Sequence, residues 1–139
     1  MAYKNKYIPT NKSKYIGDFD SILCRSLWER KFCKYLDNSP NVIRWGFELL
    51  QIPYYSPVDN KYHNYIPDFI VEYTDKQNKK QISIIEIKPY RQTEKKNKKI
   101  SLKESIVYSV NLAKWESAKQ YCKEHGWIFK LLTEKELFK

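Results

Sequence analysis

Ile66-Pro67-Asp68-Phe69 and Ile84-Ile85-Glu86-Ile87-Lys88-Pro89 decide how this chain folds. Each sets an acid inside an apolar run, and 18 positions separate Asp68 from Glu86. Ile82, Ile84, Ile85 and Ile87 make Gln81 to Lys88 apolar on much of both faces, as in a strand near the middle of a sheet. On such a strand Glu86 and Lys88 share one face, and Ile85 and Ile87 take the other. Tyr62 to Thr74 reads as the preceding strand, joined through the polar turn Asp75 to Lys80, so the two pair as an antiparallel hairpin. That pairing can set Asp68 beside Glu86. Adjacent carboxylates raise one another's pKa unless a cation sits between them, and an all-oxygen site suits Mg²⁺ or Mn²⁺. Lys88 beside it can orient or help deprotonate an attacking water, or stabilise charge on a phosphate. A cross-strand ion pair of Lys88 with Asp68 or Glu86 explains the same pattern on a solvated face. The flanking isoleucines and prolines weigh against it, because an acid in an apolar strand is desolvated and needs a partner.

Outward from the hairpin, Val42 to about Tyr55 reads as the first strand, with Gly46 permitting a bulge and Pro53 weakening the pairing. Before it, Ser21 to about Asp37 carries helical spacing in Ile22, Leu27, Trp28, Phe32, Tyr35 and Leu36, and Asn38-Ser-Pro ends it. Residues 1–20 read as an irregular basic arm, with Tyr3, Tyr7 and Tyr15 between lysines, and 21–139 as one domain. After Pro89 comes a polar basic stretch, then a helical region from about Leu102 to Glu124, continuous or broken at Asn111. His125-Gly126 is a helix stop, Trp127 to Leu132 a last strand, and Thr133 onward a helical turn. The order is α-β-β-β-α-β, an α/β domain with a central mixed sheet flanked by helices. The long helix supplies the crossover that lets the last strand add in parallel.

The 139 residues fit one domain, and 26 Lys+Arg against 16 Asp+Glu leave a formal charge of +10. With 42% hydrophobic and 16% aromatic residues the chain is no disordered tail. Its three glycines are far apart, which excludes a phosphate-cradling P-loop, a dinucleotide fingerprint and a nucleophile elbow. The N-terminal stretch has no apolar run, so neither a secretory signal nor membrane association is expected. Cys24, Cys33 and Cys122 lack C-x-x-C spacing, which points to free core thiols and an intracellular setting. His63 and His125 are too separated for a zinc pair. The surplus charge points to a polyanion, with nucleic acid the commonest.

Pro67-Asp68 followed by Glu86-Ile87-Lys88 resembles the signature of the PD-(D/E)XK nuclease superfamily, whose restriction-endonuclease-like core has the same α-β-β-β-α-β order. The resemblance implies a Mg²⁺ held by Asp68, Glu86 and the carbonyl of Ile87, with Mn²⁺ as a substitute, and Lys88 serving the nucleophilic water. It also implies an acid from the first helix, here Glu29 of Arg25-Ser26-Leu27-Trp28-Glu29. A surface pairing of Glu29 with Arg25 one turn earlier is the alternative. Tyr7-Ile-Pro9, Asn11, Lys14-Tyr15, Gly17-Asp18, Arg25-Ser26-x-Trp28-Glu29, Trp45-x-x-Glu48, Ile52-Pro53-Tyr54, Val110-Asn111-x-x-Lys114-Trp115 and Leu132-Thr133-Glu134 resemble the tailed-phage head completion nucleases. Several of these elements recur in transposon end-cleaving endonucleases. The likeness to the head completion nucleases implies an endonuclease acting on packaged DNA ends before tail joining. It also implies portal or neck proteins as partners, in the host cytoplasm or on the virion.

Arg91, Lys95, Lys96, Lys98 and Lys99, with Lys103, form the densest positive run and can track a DNA backbone beside the site, or be a solvated loop. Glu48 is a second acid near the site or one half of a strand-end ion pair. A non-catalytic basic assembly protein, and a transposon, junction-resolving or repair nuclease, are the competing readings, and RNA remains open as a ligand.

Overall fold

The isoleucine-rich run becomes the third strand of a four-stranded sheet in the computed structural model, which describes residues 4–93 and 101–137. In chain order the elements are β1 (Asn5–Lys6), β2 (Leu23–Cys24), α1 (Leu27–Asn38), β3 (Val42–Phe47), β4 (Ile52–Ser56), β5 (Lys61–Tyr65), β6 (Phe69–Thr74), β7 (Lys80–Ile87), α2 (Leu102–His125), β8 (Ile128–Leu132) and α3 (Glu134–Leu137). The central sheet runs β3-β6-β7-β8. β6 pairs antiparallel with both β3 and β7, and β8 joins β7 in parallel after the α2 crossover. The α-β-β-β-α-β order therefore holds for α1, β3, β6, β7, α2 and β8.

Alternation along the strands divides the core in two. On one face Phe69, Val71, Ile85 and Ile87 pack with Phe32, Cys33 and Leu36 of α1. On the other, Ile84 packs with Trp115, Ala118 and Cys122 of α2 and with Ile52, Tyr54 and Tyr65. Each such aliphatic or aromatic side chain contributes about 1.5–3 kcal/mol on full burial. A slip of one residue would exchange the faces of β7, so the register is tightly specified. Among the described residues no helix is long and apolar enough to cross a membrane, and Cys24, Cys33 and Cys122 are buried free thiols.

Two predicted strands are each divided. Val42 to Tyr55 breaks after β3, where Glu48 takes φ 53°. The irregularity in the β3–β6 ladder lies between Val42 and Arg44, and Gly46 pairs regularly with Ile70. A Cβ at Gly46 would run into the side chain of Leu49, so the glycine makes room for the turning chain. Tyr62 to Thr74 breaks at buried Pro67, which has no N–H to give a ladder. The released pieces, β4 and β5, form their own hairpin with Ile52 opposite Tyr65.

The first helix begins six residues later than its hydrophobic spacing predicts. Ser26 caps it, its Oγ accepting from the Glu29 amide at 3.1 Å. The preceding Ile22 and Cys24 are fully buried with Leu23 exposed, the alternation of a strand. α2 is unbroken, with Asn111 buried inside it. Gly126 ends it at φ 72° and His125 Nδ1 lies 2.8 Å from the Tyr121 carbonyl oxygen, as the stop signal predicts.

Residues 4–20, expected as an irregular basic arm, are anchored to the core through buried Tyr7, Pro9 and Tyr15. Tyr7 and Tyr15 are buried against Trp45, and the Ile16 amide donates to the Trp45 carbonyl at 2.8 Å. The clasp is Asp37, at the end of α1 and fully buried. Its carboxylate accepts from the Tyr7 hydroxyl (2.7 Å), the Thr10 amide (2.7 Å) and the Asn11 amide (3.0 Å). Lys14 Nζ donates to the carbonyls of Asp37 (3.1 Å) and Ser39 (2.8 Å), placing a cation on the negative end of the helix. Asp37→Ala strands one buried and two part-buried donors and is expected to cost about 2–3 kcal/mol in urea unfolding. A cost below about 0.5 kcal/mol, the range of ordinary surface substitutions, would show that this clasp does not hold the N-terminal segment.

Candidate active site at the β6–β7 junction

The antiparallel register that pairs Phe69 with Ile85 and Ile70 with Ile84, carried one step further, sets Asp68 opposite Glu86. The two are tied together by the backbone. Asp68 Oδ2 accepts from the Ile87 amide at 2.8 Å, and Glu86 Oε1 accepts from the Asp68 amide at 3.3 Å. The Tyr65 hydroxyl, from the end of β5, also donates to Glu86 Oε1 at 2.8 Å. Both acids are buried, Asp68 at 9% exposure and Glu86 at 6%. Lys88 lies just beyond β7, its Nζ 3.8 Å from Glu86 Oε2. The remaining oxygen of each carboxylate, Asp68 Oδ1 and Glu86 Oε2, accepts no hydrogen bond from the described residues. The expected Asp68–Glu86–Lys88 constellation is thus assembled.

Residues 39–134, which contain all three of these side chains, match the family described as TnsA-like endonuclease N terminal. The chain belongs to that family. It is also similar to the "Head completion nuclease" of Enterobacteria phage T4, at 36% identity over 143 residues covering 96% of this chain and 93% of the relative. No solved structure matches it at a significant level. A mixed sheet between helices is consistent with a restriction-endonuclease-like core, so the TnsA-like family assignment and the observed topology agree.

Within this endonuclease core, Glu29 occupies the N-terminal turn of α1. Its Oε1 accepts from the Arg25 amide at 2.8 Å while its own amide is capped by Ser26, a capping box displaced by one residue because the side chain reaches the amide before the N-cap. The guanidinium of Arg25 turns instead to Glu48, with which it forms an ion pair. The surface pairing of Glu29 with the Arg25 side chain is therefore replaced by a backbone contact, and Glu48 is the strand-end ion-pair partner. Glu29 still lies close enough to raise the proton affinity of Asp68. Arg91 sits exposed in a 3-10 turn after β7. Lys95, Lys96, Lys98 and Lys99 lie outside the described residues. His63 pairs with Asp59 at 2.7 Å, away from any zinc arrangement.

Burial pushes the Asp68 carboxyl up to about 8, and the charge of Glu86 adds to the shift. Burial likewise raises Glu86, opposed by the Tyr65 hydroxyl and Lys88, and raises Glu29. The Tyr65 phenol is held firmly protonated by burial and by the neighbouring Glu86. Three acids pushed toward their neutral forms in one place, beside an ammonium, are what a functional cluster looks like electrostatically. Among the described residues no three His, Cys, Asp or Glu side chains form a ready metal cage. The donor set at the junction is two carboxylates, each with one oxygen outside the hydrogen bonds from the backbone and Tyr65, which fits a hard cation that keeps most of its waters.

The sequence alone assigns no site role to two neighbours of the pair: Tyr65 is not singled out, and Lys114 stands only within the Val110-Asn111-x-x-Lys114-Trp115 motif. Tyr65 carries no motif of its own, and only the break at Pro67 brings its hydroxyl to Glu86. Lys114, on α2, is half-buried on the same side of the sheet as Glu86.

An acid whose folded pKa exceeds its unfolded value binds more protons when folded, so its contribution to stability falls as pH rises. For Asp68 that window runs from about 4 unfolded to about 8 folded, costing up to about 1.4 kcal/mol per pH unit within it. In EDTA, wild-type stability should therefore decline from pH 5 to pH 8, and Asp68→Asn should flatten the curve. Superimposable curves from urea titrations at several pH values would refute the frustrated pair.

Proposed function

We propose that this chain is a Mg²⁺-dependent DNA endonuclease of phage head completion, hydrolysing phosphodiester bonds at packaged DNA ends before tail joining. The observation that carries the reading is the buried, hydrogen-bonded Asp68–Glu86 pair with Lys88 at its edge. The name of the T4 relative supports the assembly step, and the family supports the endonuclease. A net charge of +10 suits a polyanionic substrate bound through its backbone.

Asp68 Oδ1 and Glu86 Oε2 would hold the divalent cation, with the Ile87 carbonyl and Glu29 as supporting donors. When bound, such an ion neutralises charge developing on the phosphoryl oxygens and lowers the pKa of water. The protein's part is positional. The Ile87 amide fixes Asp68, and Tyr65 with the Asp68 amide fixes Glu86, so the remaining oxygens keep their aim. Lys88 donates to the attacking water or to a non-bridging phosphate oxygen, orienting the one and steadying the charge on the other. Water adds to phosphorus, one ester P–O bond breaks, and the departing oxygen takes up a proton. No enzyme-linked intermediate is required. Arg91 and the lysines at 95, 96, 98 and 99 would follow the DNA backbone away from the scissile position.

Supercoiled plasmid should be nicked or linearised in Mg²⁺ and left intact in EDTA. Lys88→Ala should lower the rate about a hundredfold or more while binding persists, and Tyr65→Phe, which frees only the positioning of Glu86, about ten- to a hundredfold. Binding without cleavage under any divalent ion would reduce the chain to a cationic assembly protein. Cleavage indifferent to EDTA and to Lys88→Ala would discard the site.

A further inference from the structure

α2 turns Trp115, Ala118 and Cys122 toward the sheet. Lys114, beside Trp115, lies on the flank of the helix that faces the β4–β5 hairpin. Its Nζ stands 5.8 Å from the ring centroid of Tyr54 and 5.9 Å from that of Tyr65. Both rings are buried, and the Tyr65 hydroxyl is already committed to Glu86. Among the described residues Lys114 makes no ion pair, in contrast to Lys119 further along the helix, which lies 3.3 Å from Glu116. The charges it does feel are Glu86, which attracts it, and Lys88, which repels it.

A half-buried ammonium kept over two aromatic rings and pressed by a second ammonium is costly unless an anion is brought to it. A compact anion would satisfy one lysine. A chain of phosphates satisfies Lys88 and Lys114 together, because its charges repeat along the strand. We infer that Lys114, joined to Lys88 through Tyr65 and Glu86, provides a second phosphate-binding position that holds the polynucleotide backbone beside the reacting centre. This rests on the nuclease reading for the identity of the polyanion. Tyr54 and Tyr65 are the floor of the position, and Tyr65 links it mechanically to Glu86. Burial, together with Lys88, depresses the proton affinity of Lys114 more than Glu86 raises it, consistent with a cation whose counter-charge is incomplete.

The test is equilibrium binding of a short duplex in EDTA across a salt series, for wild type, Lys114→Met, Lys114→Arg and the control Lys119→Gln, with a thermal melt of each. Lys114→Met should weaken binding about fivefold or more and reduce the slope of log K against log salt by about one. Lys114→Arg should restore most of the slope, and Lys119→Gln should leave it alone. The melting temperature of Lys114→Met should stay level or rise, because the change removes an incompletely compensated charge; a merely structural lysine would lower it. An unaltered salt slope in Lys114→Met overturns the proposal, as does equal loss in Lys119→Gln. Should Lys114→Met not fold, Lys114→Gln gives the same readout. Wild type that shows the Lys114-dependent slope but never cleaves with a divalent ion removes the nuclease reading and keeps this position. Wild type that cleaves while Lys114→Met keeps its slope removes this position and keeps the nuclease. Wild type that binds no duplex removes both.

Discussion

Two carboxylates meet across the β6–β7 ladder because the apolar residues around them leave no other register. Phe69, Ile85 and Ile87 must face α1, and Ile84 must face α2. With those faces settled, Asp68 and Glu86 are brought side by side on the α2 side of the sheet, out of reach of most solvent. Hydrophobic burial thereby imposes an electrostatic arrangement that the acids alone would not adopt. The compensation is local: two backbone amides, the Tyr65 hydroxyl and the Lys88 ammonium. It is incomplete, since burial and mutual repulsion still push Asp68 far above an ordinary aspartate.

Everything near the junction bears on that arrangement. The break at Pro67 ends the β5 hairpin one residue before Asp68 and delivers Tyr65 to Glu86. The Glu48 amide donates to the Asp68 carbonyl at 2.9 Å, so the departure of the chain from β3 also pins the backbone of the acid. Glu48 then takes Arg25 as its partner, which binds the approach to α1 to the end of β3. On the far side, Asp37 gathers the N-terminal segment against α1, and Tyr7 and Tyr15 pack around Trp45. The sheet is thus braced on the α1 face by Asp37, Tyr7, Tyr15 and Trp45, while the Asp68–Glu86 pair lies on the α2 face.

The site was legible because its residues are exceptions to their surroundings: an acid after Pro67, and Glu86 and Lys88 among isoleucines. The hairpin of β6 and β7 and the parallel addition of the last strand came from the same runs, since a central strand apolar on both faces needs neighbours on each side; the place of β3 beside β6 did not. Other features were hidden for physical reasons. Hydrophobic spacing alone extended the first helix back to Ser21, yet Ser26-x-x-Glu29 is a start signal, and the alternation of Ile22 and Cys24 is that of a strand. The division of two strands depended on a left-handed Glu48 and on Pro67 acting at one point, which propensity averaged along a run does not resolve. The N-terminal lysines suggested an arm, whereas the tyrosines between them carry the burial and decide its place. Asn111 looked like a cap, and tertiary packing of α2 overrode it.

Lysine rather than arginine suits both cationic positions. On the proposed reading the ammonium at 88 would share Glu86 with a bound cation, and a compact charge on a flexible stem can move between a carboxylate and a phosphate. A guanidinium would engage Glu86 through two parallel hydrogen bonds and take up its remaining oxygen. At 114 the ammonium stands over the rings of Tyr54 and Tyr65, an arrangement that a point charge makes without requiring a carboxylate. The site is therefore asymmetric. Lys88 pairs directly with the acid, whereas Lys114 stands over aromatic rings and feels the charge of Glu86 without an ion pair.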